Sequence, residues 1–349
     1  MKKEIFVPGR LCLLGEHSDW AGGHRRQNSE LGIGYTIVAP TNQGIYATIE
    51  KLNEPRIRFI SEPLGSSLDV ELKEEELLKI AQEGGLFSYV AGVAYQFVTN
   101  YHNHNKEGIE IINYKMDLPL KKGLSSSASV CVLTAKAFNE VFDLKWTNKR
   151  IMEVAYSGEI TTPSRCGRMD QVCAYNTPVL MTFDADLLDV KELKIGKDIY
   201  FLIVDLNKGK DTKKILADLN KGFPFPIDEQ ERRKHEYFKT VNPFIIEKAK
   251  TVLEMGDSFL LGKIMSAAQE EFDTHLAPAC PEELTAPKLH EILNLPDAKK
   301  YAYGGKGVGS GGDGSAQFIC KTKEDRLKLR EELEKWGLGC LDLDLRKNV

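Results

Sequence analysis

Residues 118–129 read LPLKKGLSSSAS, and apolar residues at helical spacing follow them as far as residue 142. Gly123 lets the backbone turn and approach a ligand closely, and the serines supply the capping chemistry of a helix start. Because the free N–H groups of a helix N-terminus carry about half a positive charge, this stretch predicts a phosphate-binding loop. The competing interpretation is a serine-capped helix that binds nothing.

Residues 8–23, PGRLCLLGEHSDWAGG, form a second motif, in which an apolar strand runs into a turn with Glu16, His17 and Asp19. Polar side chains at a strand end offer the donors and acceptors that sugar hydroxyl groups need. Two different interpretations stay open. The acids are ordinary turn residues beside a satisfied, partly buried His17, or His17 and His24 form a zinc site.

Residues 303–314, YGGKGVGSGGDG, form a third motif that contains GxGxxG at Gly307, Gly309 and Gly312. A dinucleotide-binding fingerprint requires a helix after the glycines, but residues 315–320 have the pattern of a strand, so we reject that interpretation. We predict a Gly-rich turn over residues 304–314 that closes over substrate or phosphate; the competing interpretation is a flexible linker. The sequence contains no GxxxxGK[ST] stretch, which excludes a P-loop enzyme.

The composition is that of a globular protein, with 349 residues, 42% hydrophobic and 28% charged residues and a net charge of −4. This length predicts two domains, and the acidic balance disfavours a nucleic-acid partner. The short apolar stretches disfavour a signal peptide or a membrane span. Seven scattered cysteines without a CxxC pair indicate reduced thiols. We expect a cytoplasmic protein that acts on small molecules, as a monomer or a homodimer.

Outside the motifs, the apolar patterns predict further helices and strands. The predicted helices are at 86–98, 127–142, 147–161, 287–293 and 324–336, with two more around residues 246–253 and 264–276. The predicted strands are at 4–7, 10–14, 33–38, 44–51, 57–60, 109–114, 179–183, 200–206, 316–321 and 339–345. Turn chemistry at residues 40–42 separates two of the strands. A polar, Lys-rich stretch near 195–215 predicts a domain boundary.

The three motifs, in this order, resemble those of the GHMP kinases, and within that superfamily most nearly those of galactokinase and other sugar-1-kinases. The resemblance covers essentially the whole chain and includes residues 254–275, which are similar to a galactokinase helix pair. It implies an α+β GHMP kinase fold. The N-terminal domain, residues 1–195, would be α/β like ribosomal protein S5 domain 2, and the C-terminal domain, residues 196–349, ferredoxin-like α+β. It also implies ATP and Mg²⁺ as cofactors.

The resemblance also implies roles for single residues. Asp170, within CGRMDQ at 166–171, matches the catalytic base of galactokinases, and Arg10 matches the arginine beside it. Ser127 and Glu159 match the Mg²⁺ ligands. The matched sugar contacts are Glu16, His17, Asp19 and Gly167. The matched phosphate loop is Gly123, Leu124, Ser125, Ser126, Ser127, Ala128 and Ser129, and the third motif contributes Gly307, Gly309, Ser310, Gly311 and Gly312.

We therefore expect transfer of the γ-phosphate of ATP to a sugar hydroxyl, by family likeness the anomeric one. The sequence departs from galactokinases where substrate is recognised: Trp20 replaces a tyrosine, and the third motif lacks its usual threonine. Because arginines pair well with carboxylates, Arg25, Arg26 and Arg168 leave a uronic acid open as substrate, against surface salt bridges. A mevalonate-type kinase and a non-catalytic sugar sensor on this fold are compatible with the same motifs.

Overall fold

The computed structural model describes residues 2–101, 106–118, 124–164 and 166–348. The chain divides into two compact units: unit 1 is Met1–Arg10 with Pro40–Asn176, and unit 2 is Leu11–Ala39 with Thr177–Val349. Residues 11–39 and 177–195 thus group with the C-terminal part of the chain. The domain boundary predicted after residue 195 was taken from the family resemblance, and it stays a prediction.

The helices and strands lie as follows. The strands are β1 (Lys3–Leu14), β2 (Gly34–Leu52), β3 (Arg56–Ser61), β4 (Ser66–Glu71), β5 (Gly108–Met116), β6 (Val179–Asp184), β7 (Leu187–Glu192), β8 (Ile199–Asp205), β9 (Ala302–Gly307), β10 (Ser315–Cys320) and β11 (Gly339–Leu345). The helices are α1 (Ser18–Gly23), α2 (Glu74–Glu83), α3 (Leu86–Asn100), α4 (Ser126–Phe142), α5 (Asn148–Ile160), α6 (Thr212–Asn220), α7 (Glu229–Glu236), α8 (Asn242–Met255), α9 (Ser258–His275), α10 (Pro281–Leu284), α11 (Pro287–Leu293), α12 (Pro296–Tyr301) and α13 (Lys323–Lys335).

In unit 1, β5 pairs in parallel with β3 and antiparallel with the second half of β2, and β4 pairs with β3. Helices α3, α4 and α5 pack against one another. Helix α4 is the helix predicted after the serine-rich loop, but its side chains are buried on more than the single face that the pattern indicated. The rings of Phe97 in α3 and Phe138 in α4 stack at 4.1 Å between centroids.

In unit 2, strands β11, β8, β10 and β9 form an antiparallel sheet in that order. Its core includes Leu202, Phe318 and Leu329. The first half of β2 pairs with β6, which pairs with β7. The mixture of helices and largely antiparallel sheets confirms the predicted α+β class. No helix in the described parts of the chain is both long and apolar enough to cross a membrane.

Three sequence-based boundaries were wrong. The strands predicted at residues 4–7 and 10–14 form one continuous strand, β1. The turn predicted at residues 40–42 lies inside β2, which is continuous; residues 34–38 pair with β6 and residues 45–52 with β5. Pro40 falls between these paired segments. The Gly-rich turn begins later than predicted, because residues 304–307 belong to β9 and pair with β10. A Cβ at Gly304 would lie 2.0 Å from the carbonyl oxygen of Gly262, so this glycine permits close packing of α9 on the strand.

Helices α3 and α5 cross at a pair of glycines. A Cβ on Gly92 would lie 2.3 Å from the carbonyl oxygen of Gly158, and one on Gly158 would lie 2.7 Å from the backbone nitrogen of Val93. The two backbones are therefore in direct contact. This crossing fixes the C-terminal end of α5 and with it Glu159, the residue that follows Gly158.

Because the two helices cross so closely, one methyl group added at the crossing should destabilise the protein. Gly158→Ala should lower the free energy of unfolding by about 1–3 kcal/mol, because the added methyl meets backbone atoms that cannot move aside. Gly23→Ala is the control, since Gly23 has helical backbone angles and no atom within 4 Å of an added Cβ. The control should be neutral or slightly stabilising. Equal urea midpoints for both variants would contradict the close crossing.

Candidate functional site

The serine-rich loop of unit 1 ends in a helix start that is tied to β1. Gly123 lies outside the described residues. The backbone N–H of Arg10 donates to the carbonyl oxygen of Leu124 at 3.1 Å, and Ser125 adopts left-handed angles, with φ of 57°, directly before α4. The N–H groups of the first helical turn have no acceptor within a helix, so they are available to an anion.

Asp170 lies at the start of a short 3₁₀ turn, Asp170–Ala174. Its Oδ1 atom accepts hydrogen bonds from Arg10 Nε at 3.0 Å and from Ser125 Oγ at 2.9 Å, and Arg10 Nη2 donates to the same oxygen. Arg10 is only 8% exposed, so its charge and that of the carboxylate compensate each other in a partly desolvated place. Within the described residues, Oδ2 accepts no hydrogen bond.

Glu159 is fully buried at the end of α5. Its carboxylate accepts hydrogen bonds from Gln171 Nε2 at 2.8 Å and Ser164 Oγ at 3.4 Å, and the side chain of Ser127 lies close enough to lower its pKa. Burial raises the pKa of Glu159, and the hydrogen bonds from Ser127 and Gln171 oppose that rise. The structure thus brings together the two residues predicted to bind Mg²⁺.

The oxygens of Ser127 and Glu159 fit a hard divalent cation. Mg²⁺ is commonly held by one or two protein oxygens together with substrate phosphates, and a cation would offset the cost of ionising a buried carboxylate. The described residues contain no cluster of three or more His, Cys, Asp or Glu side chains arranged for a metal. A site that relies on phosphate oxygens for its remaining ligands is consistent with that finding.

A cleft of about 540 Å³ in unit 1 adjoins these groups. Its apolar lining comes from Leu64, Leu86, Tyr89, Met116 and Val130, and its polar lining from Arg10, Ser125, Ser126, Ser127 and Asp170. An apolar wall beside a helix start can hold a molecule that is aromatic at one end and anionic at the other. A nucleotide has that chemistry.

Two residues of the predicted phosphate loop, Ala128 and Ser129, are fully buried beneath it. The hydroxyl of Ser129 lies 3.0 Å from the carbonyl oxygen of Pro8 and 3.1 Å from that of Ser125, and can donate to either. Ser129 therefore ties the loop to β1. Direct contact of Ala128 or Ser129 with a nucleotide stays a prediction.

The loop contains one buried serine that holds the structure, Ser129, and a partly exposed serine that lines the cleft, Ser126. Ser129→Ala should destabilise the protein by about 1–3 kcal/mol, because buried carbonyl oxygens lose a donor. Ser126→Ala should cost less than about 0.5 kcal/mol, since Ser126 is partly exposed and lines the cleft. Urea unfolding of the two variants measures the difference, and a Ser126 cost as large as that of Ser129 would refute this assignment.

In unit 2, the turn after β1 depends on Gly15. This residue has φ of 88°, and a Cβ there would lie 2.2 Å from the carbonyl oxygen of Tyr35. The next residue, Glu16, is 6% exposed, and its Oε1 accepts a hydrogen bond from Lys306 Nζ at 2.5 Å. Lys306 lies inside the third motif but is not among the residues predicted to have a role. The available signal was a single lysine inside a run of glycines, shortly before a strand pattern.

His17 has partners for both of its ring nitrogens. Nδ1 accepts from Trp20 Nε1 at 3.1 Å, so the Nε2–H donates to the carbonyl oxygen of Ser310 at 3.2 Å. Burial lowers the pKa of His17 from 6.5 to about 4. The charges of Lys210 and Lys306 act in the same direction, whereas the hydrogen bond to Ser310 opposes it. His17 is thus a neutral histidine that holds the Gly-rich loop.

This neutral state predicts acid sensitivity. The pKa of His17 is lower in the folded protein than in the unfolded chain. The stabilisation that neutral His17 provides is therefore complete above pH 6.5 and is lost as the pH falls towards 4. The shift corresponds to about 3 kcal/mol. His17→Gln keeps an acceptor and a donor but does not titrate. Between pH 7 and 4, the wild type should therefore lose about 3 kcal/mol more unfolding free energy than this variant. Parallel curves for the two proteins would disprove the neutral, buried state.

The Gly-rich loop after β9 is also held by Lys210. Its ammonium donates to the carbonyl oxygens of Val308, at 3.2 Å, and Gly311, at 2.8 Å. Gly309, Gly311 and Gly312 have φ of 69°, 83° and 72°, which favour glycine. These contacts order the loop within unit 2, and its proposed contact with substrate or phosphate stays a prediction.

The structure also describes the other residues for which the sequence analysis predicted or considered a role in the site. Asp19 lies in the first turn of α1 in unit 2, and Gly167 precedes Asp170 in unit 1. His24 bonds to Asn220 at 2.8 Å rather than pairing with His17. Arg25 pairs with Asp184 at 2.6 Å and Arg26 with Asp186, while the Arg168 guanidinium lies 5.7 Å from the ring centre of Tyr156. The surface salt-bridge interpretation therefore describes Arg25 and Arg26.

Comparisons with known proteins agree with the motifs. The family described as GHMP kinases N terminal domain matches residues 88–177. The galactokinase of Clostridium acetobutylicum is 32% identical over 169 residues, which are 48% of this chain and 40% of that protein. The match therefore covers less than half of the length of this curated relative.

Solved structures match over the full length. The mevalonate kinase of Methanococcus jannaschii has a TM-score of 0.75 and 21% identity, covering 100% of this chain and 99% of its own. The Lactococcus lactis galactokinase complexed with galactose has a TM-score of 0.72 and 17% identity, covering 99% and 94%. At these identities the agreement concerns the fold, and it confirms the fold that the three motifs predicted.

Proposed function

We propose that this chain is a member of the GHMP kinase superfamily, an ATP-dependent kinase that transfers the γ-phosphate to a hydroxyl of a monosaccharide, the anomeric one. The arrangement around Asp170 is the observation that carries this proposal. One carboxylate oxygen is held by Arg10 and by Ser125 at the start of α4, which leaves Oδ2 for another donor. The similarity to galactokinases supports a sugar as the acceptor.

ATP would bind in the cleft of unit 1. The N–H groups at the start of α4 and the hydroxyl of Ser126 suit the phosphates, and the apolar lining suits the base. We propose that Ser127 and Glu159 hold Mg²⁺. When bound, Mg²⁺ neutralises phosphate charge and favours departure of ADP.

In the proposed reaction, the sugar hydroxyl oxygen forms a bond to the γ-phosphorus as the bond between that phosphorus and the bridging oxygen of ADP breaks. Asp170 orients the hydroxyl and accepts its proton. Arg10 fixes the carboxylate and compensates charge, which matters because positioning and charge neutralisation supply most of the rate in phosphoryl transfer. Substrate contacts are proposed for Glu16, Asp19 and Gly167.

The proposed function is tested by ADP release with Mg²⁺-ATP across neutral hexoses, pentoses, uronic acids and mevalonate. We expect a strong response to a neutral monosaccharide. Uronic acids should be poor substrates, because Arg25 and Arg26 are already paired with aspartates. If no compound in the panel stimulates ADP release while ATP still binds, the sugar kinase proposal is rejected and a sugar sensor is favoured.

The same assay tests the central carboxylate. Asp170→Asn should lower kcat by at least about a hundredfold, since the amide cannot accept the proton, while ATP binding measured by calorimetry stays close to that of the wild type. Asp186→Asn is the control, because this exposed aspartate pairs with Arg26 at the surface. Near-normal turnover of Asp170→Asn would remove Asp170 from the mechanism.

A further inference from the structure

Gln171, the residue after Asp170, is fully buried in the short turn Asp170–Ala174. Its amide nitrogen, Nε2, donates to Glu159 Oε2 at 2.8 Å and to Cys166 Sγ at 3.4 Å. Both N–H bonds of the amide therefore have an acceptor. The reverse orientation would place the amide oxygen against a carboxylate, which accepts but does not donate, so these two contacts determine which way the amide faces.

The oxygen of the same amide lacks a partner. Gln171 Oε1 is buried and receives no hydrogen bond from the described residues. Because burial separates this oxygen from water, an acceptor without a donor is unfavourable there. Oε1 and Nε2 share one carbon atom, so the unmet acceptor lies close to the carboxylate of Glu159. A group that donates a hydrogen bond at this place would remove the deficit.

A hydrated divalent cation supplies donors of that kind. Mg²⁺ dehydrates reluctantly and usually keeps several water molecules when a protein binds it. A cation polarises its water, which makes that water a strong hydrogen-bond donor. A neutral amide oxygen accepts from such water without adding negative charge to a place that also receives phosphates. Groups that contact the ligands of a metal in this way orient those ligands and tune the affinity of the site.

Both side chains are held by firmly placed backbone, and both belong to unit 1. The carbonyl oxygen of Glu159 accepts from the N–H of Thr162 at 3.0 Å and from the Thr162 hydroxyl at 2.7 Å. The turn that carries Gln171 packs against α4 and α5. Such support is what a binding residue needs in order to keep one orientation.

We propose that Gln171 is a positioning residue for the divalent cation. Its Nε2 holds the carboxylate of Glu159, and its Oε1 accepts a hydrogen bond from the hydration shell of the cation. The inference rests on the proposed function, because it concerns the cation that Ser127 and Glu159 are proposed to hold. Neighbouring residues of one turn then have different tasks, Asp170 towards the acceptor hydroxyl and Gln171 towards the metal.

The test measures Mn²⁺ binding by calorimetry in the presence of ADP and without a sugar. Mn²⁺ is a suitable probe because it prefers the same oxygen ligands as Mg²⁺. Gln171→Met keeps the approximate shape of the side chain but removes both hydrogen-bonding atoms. It should weaken Mn²⁺ binding by about tenfold to a hundredfold. Binding of ADP alone, measured in EDTA, should match that of the wild type.

Gln96→Met is the matched control. Gln96 is another partly buried glutamine of unit 1, but its Nε2 donates to Thr161 Oγ1 at 3.2 Å and not to Glu159. This variant should bind Mn²⁺ and ADP as the wild type does. Weaker Mn²⁺ binding in both variants would show a general effect of packing around α5 and would contradict the role of Gln171.

Turnover provides a second readout that a purely structural role would not change. If Gln171 acts through the metal, a high concentration of Mg²⁺ should restore kcat of Gln171→Met to that of the wild type. The Mg²⁺ concentration that gives half of the maximal rate should rise by the same factor as the Mn²⁺ dissociation constant. A low kcat that Mg²⁺ does not restore, with unchanged metal affinity, would refute the inference.

A second variant keeps the test decisive if Gln171→Met does not fold. Gln171→Glu keeps the shape of the side chain and an acceptor oxygen, but it places two carboxylates side by side, and these repel each other unless a cation lies between them. Its unfolding midpoint in EDTA should lie below that of the wild type. Addition of Mn²⁺ and ADP should raise this midpoint by more than in the wild type. An equal or smaller rise would contradict a cation beside Gln171.

The outcomes distinguish this inference from the function on which it rests. If folded Gln171→Met binds Mn²⁺ as tightly as the wild type, the role of Gln171 is refuted and the proposed kinase stands. If the wild type with ADP binds no Mn²⁺, the proposed cation site and the inference fail together. If Mn²⁺ binding weakens in Gln171→Met while the wild type phosphorylates no sugar, the role of Gln171 is supported and the proposed acceptor is rejected.

Discussion

The Oδ1 atom of Asp170 is the point to which several parts of unit 1 are tied. Arg10 reaches it from β1 and Ser125 from the start of α4, although both are far from Asp170 in sequence. The same two residues are linked through the backbone, since the N–H of Arg10 donates to Leu124, next to Ser125. A side-chain contact and a backbone contact thus constrain the loop together. The loop that presents the N–H groups of α4 is thus held to β1 by more than one contact.

At two places in this structure, glycines allow the backbones of neighbouring elements to approach each other closely. At the crossing of α3 and α5, and between α9 and β9, a side chain would meet backbone atoms of the neighbouring element. The first contact fixes Glu159 and the second fixes Lys306. In both cases an element carrying a buried ionisable residue is held by backbone-to-backbone contact, which is stiffer than contact between side chains.

The sequence was a good guide wherever chemistry is local. The helix after Ser125 and the strand Ser315–Cys320 followed from periodicity and turn residues. Arg10 and Asp170 are 160 positions apart, and their joining followed from the family resemblance alone. The Lys306–Glu16 pair did not, because the partners are 290 positions apart and no local pattern couples them. The roles of Ser129 and His17 also required the structure. The sequence indicates that a residue can cap a loop or contact a sugar. Only the structure shows which carbonyl oxygen already accepts the hydrogen bond from that residue.

Each unit contains an ion pair with little exposure to water, Arg10 with Asp170 in unit 1 and Lys306 with Glu16 in unit 2. Removing two charges from water costs about as much as their attraction returns, so pairs of this kind add little to stability when compared with apolar side chains. Their value lies in what an apolar pair could not provide. In the pair of Arg10 and Asp170 the carboxylate keeps one oxygen without a donor among the described residues, while its cation fixes the other. A carboxylate held in that way is oriented, compensated in charge and still able to accept a hydrogen bond, and these properties suit the role proposed for Asp170.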